Sequence, residues 1–304
     1  MRCSLYRRRG PAIPTISIGT SLSTSAGPGA DPVAQARLAE RLGYDFLTAS
    51  DHPAGNHPTF ETWTLLTWVA ANTERIGLMP NVLGLPYRKP VMLAKMTESL
   101  DRFSGGRLTL GLGAGGGDEE RMRALGLEVL TPAERVQALG EEIEILRRLW
   151  AETDVTYDGE RFRIEGVTLT PRAHRAIPIW VGAYGPRAVA LTGRLADGWT
   201  PSLPYLPPSR AVTLRALLLE AAEEAGRDSA DITCNYNVGV MVGGHAHDER
   251  VVAGSAEGVC EQLLGFVRIG FTSLTIWPIG DEEAQMTRFA EEVMGPLREA
   301  AADL

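Results

Sequence analysis

The sequence predicts an α/β fold of the TIM (β/α)8 type, and three observations point there. Residues 88 to 117 spell out one complete unit: a helix, a tight glycine turn, a buried strand and a glycine-rich exit. Units of that kind, a short apolar strand followed by an amphipathic helix, can be traced eight times along the 304 residues. The alternation is broken by one antiparallel hairpin signal between the fourth helix and the fifth strand, and nothing repeats or splits the chain at the sequence level. One barrel domain over residues 13 to 304, with an insertion at about 151 to 176, is therefore expected.

Each element has its own justification. Ile13 to Leu22 reads as strand one, and Ser23 to Gly29 as a loop of small residues. Asp31 caps a helix from Pro32 to Leu42, with Val33, Ala36, Ala39 and Leu42 on its inner face and Gly43 ending it. Strand two is Tyr44 to Ala49, helix two Glu61 to Thr73, and strand three Ile76 to Val82. Pro90 opens the third helix, where Leu93, Met96, Leu100 and Phe103 form an apolar stripe and Ser104-Gly105-Gly106 stops it. Leu108, Leu110 and Leu112 make strand four, which runs into Gly113 to Gly117. A short helix at Asp118 to Leu125 precedes a long one at Pro132 to Trp150. Asp158-Gly159 then turns a hairpin between Val155–Tyr157 and Arg161–Ile164. Strands five to eight are Ile177–Val181, Gly198–Thr200, Ile232–Val242 and Leu274–Ile279. Their helices are Pro186–Arg194, Pro208–Ala225, Ala256–Ile269 and a last one closing the chain.

Composition excludes several classes. A net charge of -8 argues against a nucleic-acid partner. Cys3, Cys234 and Cys260 lie too far apart for a disulfide framework or a zinc site, which suits a reducing cytoplasm. No apolar run approaches membrane-spanning length. Arg7-Arg8-Arg9 mimics an export signal, but Pro11 and Pro14 interrupt the stretch after it, so residues 1 to 12 are expected to be a disordered or extra start.

In such a barrel the chemistry lies at the C-terminal ends of the strands. Asp51 and His52, after strand two, are the charged exception among loops otherwise poor in charge. One reading makes Asp51 an acceptor for backbone amides and His52 a packing residue. The other makes His52 an acid or base near neutral pH. Gly182-Ala183-Tyr184-Gly185 ends strand five at a helix N-terminus, which suits a ligand anion or is an ordinary turn. Gly113 to Gly117 lacks the spacing of a nucleotide fingerprint. His245-Ala-His247-Asp248 reads as a solvated loop and not a metal cluster, and Trp199 as a core residue. With no nucleophile elbow and no paired carboxylates, the hard chemistry falls to a cofactor acting on a small-molecule substrate.

The stretches Ser50-Asp51-His52-Pro53, Tyr87-Arg88-Lys89-Pro90, Ser104-Gly105-Gly106-Arg107, Gly111-Leu112-Gly113-Ala114-Gly115, Pro178 to Gly182 and Ala196-Asp197-Gly198-Trp199 resemble the bacterial luciferase-like superfamily. The resemblance implies a barrel that binds the deazaflavin F420 or, alternatively, FMN, with the arginine-rich composition leaning to F420. It implies that His52 lies beside the reactive carbon and that a non-proline cis peptide falls at Asn81–Val82 behind the ring. Ring and tail would touch Ala114, Gly115 and the turn Gly182, Ala183, Tyr184 and Gly185. It further implies a homodimer and, for the FMN form, a monooxygenase supplied by a flavin reductase. A non-catalytic flavin-binding barrel is the third alternative. Ala54, Gly55, Asn56 and Gly116 depart from the pattern of the glucose-6-phosphate dehydrogenases of that group. The loop of Leu203, Tyr205 and Leu206 is expected to take an apolar or neutral carbonyl-type compound instead.

Overall fold

Short, largely buried strands pair edge to edge into a ring. The structure, a computed structural model, describes residues 16–116, 119–246 and 248–304. The expected free start, Cys3, the first residues of strand one, Gly117, Asp118 and His247 lie outside the described residues. In chain order the strands are β1 (Ser17–Ser21), β2 (Phe46–Ala49), β3 (Gly77–Pro80), β4 (Leu83–Gly84), β5 (Leu110–Gly113), β6 (Val155–Asp158), β7 (Arg163–Val167), β8 (Ile179–Gly182), β9 (Gly198–Trp199), β10 (Thr233–Val242), β11 (Val251–Gly254) and β12 (Ser273–Pro278). The helices are α1 (Pro32–Leu42), α2 (Thr62–Ala70), α3 (Pro90–Phe103), α4 (Glu119–Ala124), α5 (Pro132–Ala151), α6 (Pro186–Leu195), α7 (Pro208–Glu224), α8 (Ala256–Arg268), α9 (Glu282–Phe289) and α10 (Gly295–Ala302).

The parallel order β3-β2-β1-β12-β10-β9-β8-β5-β4 runs round the ring. It closes between β3 and β5 through a bridge at Leu78 and Leu108, where Leu78 N–H donates to Arg107 at 3.0 Å and Thr109 N–H to Leu78 at 2.9 Å. Arg107 locks that seam, because its guanidinium donates to the carbonyls of Ala70, Thr73 and Ile76 at 2.8 to 3.0 Å. Gly111 is required here: a Cβ would lie 2.0 Å from the Pro80 carbonyl oxygen.

Pairing register sorts the side chains of β10 and β12. Tyr236 faces the helices and stacks on Phe271 at 4.3 Å, so Asn235, Asn237, Ser273 and Thr275, one residue to either side, face the lumen. Phe46 and Trp180 meet edge to face near the N-terminal ends of β2 and β8 and floor the lumen. Gly19 and Gly198 give these rings room, since a Cβ on either would collide with them. Polar groups thus fill the middle, aromatics the bottom, and the mouth stays open.

Several expectations need correction. Strand three is two pieces, β3 and β4, and Val82 lies in the break between them, where the Asn81–Val82 peptide is cis. The strand-seven exit is not all loop: β11 adds a further parallel strand beside β10, pairing Gly239 with Val251. The hairpin turn is longer than two residues. The Glu141 carboxylate on α5 accepts the amides of Glu160, Arg161 and Phe162 at 2.9 to 3.0 Å and so sets its shape. Phe103 ends α3 pointing outward, 75% exposed. The last helix is two, α9 and α10, joined by a π-helical turn at Ala290–Met294.

Candidate active site

The C-terminal mouth is built in two halves. On the β3–β5–β8 side, Val82 lies over two glycines: a Cβ on Gly113 would be 2.6 Å from Val82 Cγ2, and one on Gly182 would be 3.2 Å from it. Ala114 and Gly115 continue from β5, with Gly115 at φ +71, and Gly185 opens α6 with nothing near its Cα. The glycines give room to Val82 and, at Gly115, to the Pro86 ring, so this half of the rim is narrow and apolar. The first amides of α6 have no side-chain cap, because Gly185 supplies none. Ala183 is buried and takes the Trp199 indole N–H on its carbonyl at 2.9 Å, which makes Trp199 a core residue, as expected. Tyr184 donates to Ser202 Oγ at 3.2 Å, and burial pushes its phenol above the ordinary value, so it stays protonated.

The other half, β12–β1–β2, holds a cavity of about 660 Å³. Ser21, Ser23 and Thr24 wall it from the β1 exit, Thr48 and Ser50 from β2, and Trp277 from β12. Asn81 borders it from β3 and ties the two halves together. Its amide donates to Asn237 Oδ1 at 2.6 Å, and its carbonyl oxygen accepts from the Thr200 hydroxyl at 3.2 Å. Asn237 in turn donates to Pro201, Thr200 and Ser202, and Asn235 joins Thr200, Thr275 and Ser273. Sequence reasoning misses this buried amide ladder. A signal for it exists in the two asparagines two apart in an otherwise apolar strand.

Asp51 and His52 part company. Asp51 is almost wholly buried, and its carboxylate accepts the Gly84 amide at 3.0 Å and two nitrogens of Arg88, at 2.8 and 3.2 Å. Arg88 also reaches Glu61 at 2.5 Å, whose other bonds cap α2 at Trp63 and Thr64. Burial would raise the Glu61 carboxyl, but those amides and Arg88 outweigh it and hold the group below its ordinary value. His52, by contrast, is exposed, and its carbonyl accepts the Thr59 hydroxyl at 3.1 Å. The histidine that lines the cavity itself is His57. The loop expected to meet substrate is mostly core: Leu203 and Leu206 are buried, and only Tyr205 is exposed, edge-on to Tyr184. Among the described residues no group of side chains is arranged to hold a metal.

A closed parallel barrel with one small-residue half-rim and one open cavity at its mouth defines a ligand-binding TIM barrel. The chain belongs to the luciferase-like monooxygenase family, whose model matches residues 15–250. It is 34% identical to the F420-dependent glucose-6-phosphate dehydrogenase of Microbacterium testaceum (strain StLB037) over 202 residues, 64% of this chain but only 59% of that protein. The enzyme of the same name from Beutenbergia cavernae is 29% identical over 88% of this chain and 93% of its own length. In fold, the chain is similar to an F420-dependent secondary alcohol dehydrogenase solved with an F420-acetone adduct, at TM-score 0.82 and 18% identity, covering 93% of this chain and 99% of that one.

Proposed function

We propose that this chain is an F420-dependent oxidoreductase acting on a small organic substrate at the barrel mouth. The observation that carries the reading is Val82, set by the cis Asn81–Val82 peptide and packed over Gly113 and Gly182, beside an open cavity. This apolar rim suits a flat tricyclic ring, and proteins to which the chain is similar are named as F420-dependent. When bound, the deazaflavin supplies the hydride chemistry. Val82, Ala114 and Gly115 would support the ring. The turn Gly182, Ala183, Tyr184 and Gly185 would hold the tail's phosphate at the start of α6, which has no side-chain cap. His52, exposed on the loop after β2, would give or take the substrate's hydroxyl proton. Asp51 works as a positioning residue: it ties Arg88 to Gly84 and so fixes the strand break on which the ring would rest.

A second reading is an FMN-dependent monooxygenase supplied by a reductase, which the family's monooxygenase name favours. Both readings place the protein in the cytoplasm with Cys234 and Cys260 as thiols, and no helix among the described residues is long and apolar enough to cross a membrane. Both also include a homodimer, formed where Trp68 on α2 and Met92 and Phe103 on α3 stand exposed. Titration of the purified protein with F420 and with FMN separates the two. We expect F420 to bind and His52→Ala to keep that affinity while losing about 100-fold or more in turnover. Binding of FMN alone would reverse the assignment, and unchanged turnover in the variant would remove His52 from it.

A further inference from the structure

The cavity on the β12–β1–β2 half has a chemistry of its own. Hydroxyls dominate it, and those of Ser21, Thr48 and Ser50 have no hydrogen-bond partner among the described residues. Among the described residues no lysine or arginine lines it, and its ionisable groups are His57 and Glu282. Glu282 is held in place from behind. Gln35, itself buried, donates to Glu282 Oε2 at 3.0 Å while its own oxygen accepts the Ser23 amide at 2.9 Å. One carboxylate oxygen is thereby anchored to the β1 exit loop, and the other has no partner among the described residues.

We infer that this cavity selects an uncharged, hydroxyl-bearing substrate and rejects phosphate esters, with Glu282 accepting a hydrogen bond from a substrate hydroxyl; this rests on the oxidoreductase reading proposed for the barrel mouth. A phosphate group carries two negative charges that need cationic or amide donors when taken out of water. Here it would find hydroxyls and a fixed carboxylate. A neutral polyol or hydroxy-carbonyl compound would instead match free hydroxyls with its own. The cavity adjoins the Val82 rim through Asn81, the residue before it in the chain.

The test uses matched pairs, glucose with glucose 6-phosphate and glycerol with glycerol 3-phosphate. Each is titrated calorimetrically into the F420-loaded protein and assayed by loss of deazaflavin absorbance. In at least one pair the neutral member is expected to bind at least tenfold tighter than its ester. Glu282→Lys should narrow or reverse that ratio at least tenfold without changing F420 affinity. Glu282→Gln, which keeps the size of the side chain, should raise ester affinity several-fold. Tighter ester binding in the unaltered protein, or no pair in which the neutral member is preferred, overturns the inference. Failure of F420 itself to bind strikes the parent reading, and the same pairs titrated into the unloaded protein still judge the cavity.

Discussion

Arg88 clasps Asp51 with both ends of its guanidinium, 2.8 Å to Oδ2 and 3.2 Å to Oδ1, across the gap between the β2 exit and the start of α3. Both partners are largely buried, so each is the other's main source of charge compensation. Replacing Arg88 by Met strands a carboxylate on a single amide. We expect a loss of about 3 kcal/mol in urea unfolding. Arg88→Lys should recover less than half of it, because a point charge cannot serve two oxygens at once. A cost below about 1 kcal/mol for Arg88→Met, the range of an exposed pair, would contradict this.

Glu142 on α5 is fully buried, and neither carboxyl oxygen has a hydrogen-bond partner among the described residues. Burial pushes its pKa up to about 8, against a smaller opposing pull from Arg88. Below the ordinary carboxylate pKa near 4.5 the group is protonated folded or unfolded. Above that, the unfolded chain ionises first, so the folded state binds the extra proton and stability falls as pH rises toward 8. Glu142→Gln removes the titration. Its stability advantage should be small at pH 4.5 and grow to the order of 3 kcal/mol by pH 8. Parallel pH curves for the two proteins would show that Glu142 is not the group responsible.

Val82 and Gly113 leave no space for a methyl group between them. Gly113→Ala forces a β-branched side chain or the backbone to move, at about 1 to 3 kcal/mol. It should also weaken F420 binding in a fluorescence titration, since Val82 is displaced. Adding Val82→Ala removes the colliding Cγ2 atom and should restore stability in part. An additive double variant would deny the contact.

Asn237 binds the side chains of Asn81, Asn235 and Thr200 and the Pro201 carbonyl. Asn237→Leu fills the space but leaves the Asn81 side-chain amide without its acceptor. A loss of about 2 to 3 kcal/mol is expected, with weaker cofactor binding because Asn81 is released. If thermal unfolding is unchanged, the ladder is not structural.

Much of the barrel was legible from one dimension. Pro90, Pro132, Pro186 and Pro208 stand in the first turns of their helices, as N-terminal prolines should. The Leu110–Gly113 run is a buried strand with its glycine exit at the mouth. Period and punctuation are local properties, and local properties survive in sequence. The site was legible only where a motif carried it. Asp51 reads as an acceptor for backbone amides, and Gly84 donates to it, but its ion pair with Arg88, 37 residues away, has no local signal. Leu203 and Leu206 read as a loop, and packing buries them.

By itself, then, the order of residues determined the strand-helix rhythm, the hairpin that interrupts it and the glycines at the rim, because each depends on neighbours within a few positions. Only the folded ring decided which polar groups would be spent on structure and which left free. Asn81, Asn235 and Asn237 satisfy one another across the lumen, whereas Ser21, Thr48 and Ser50 open onto a cavity. A hydrogen bond needs two partners at about 3 Å, and strands far apart in the chain acquire that distance only when the barrel closes.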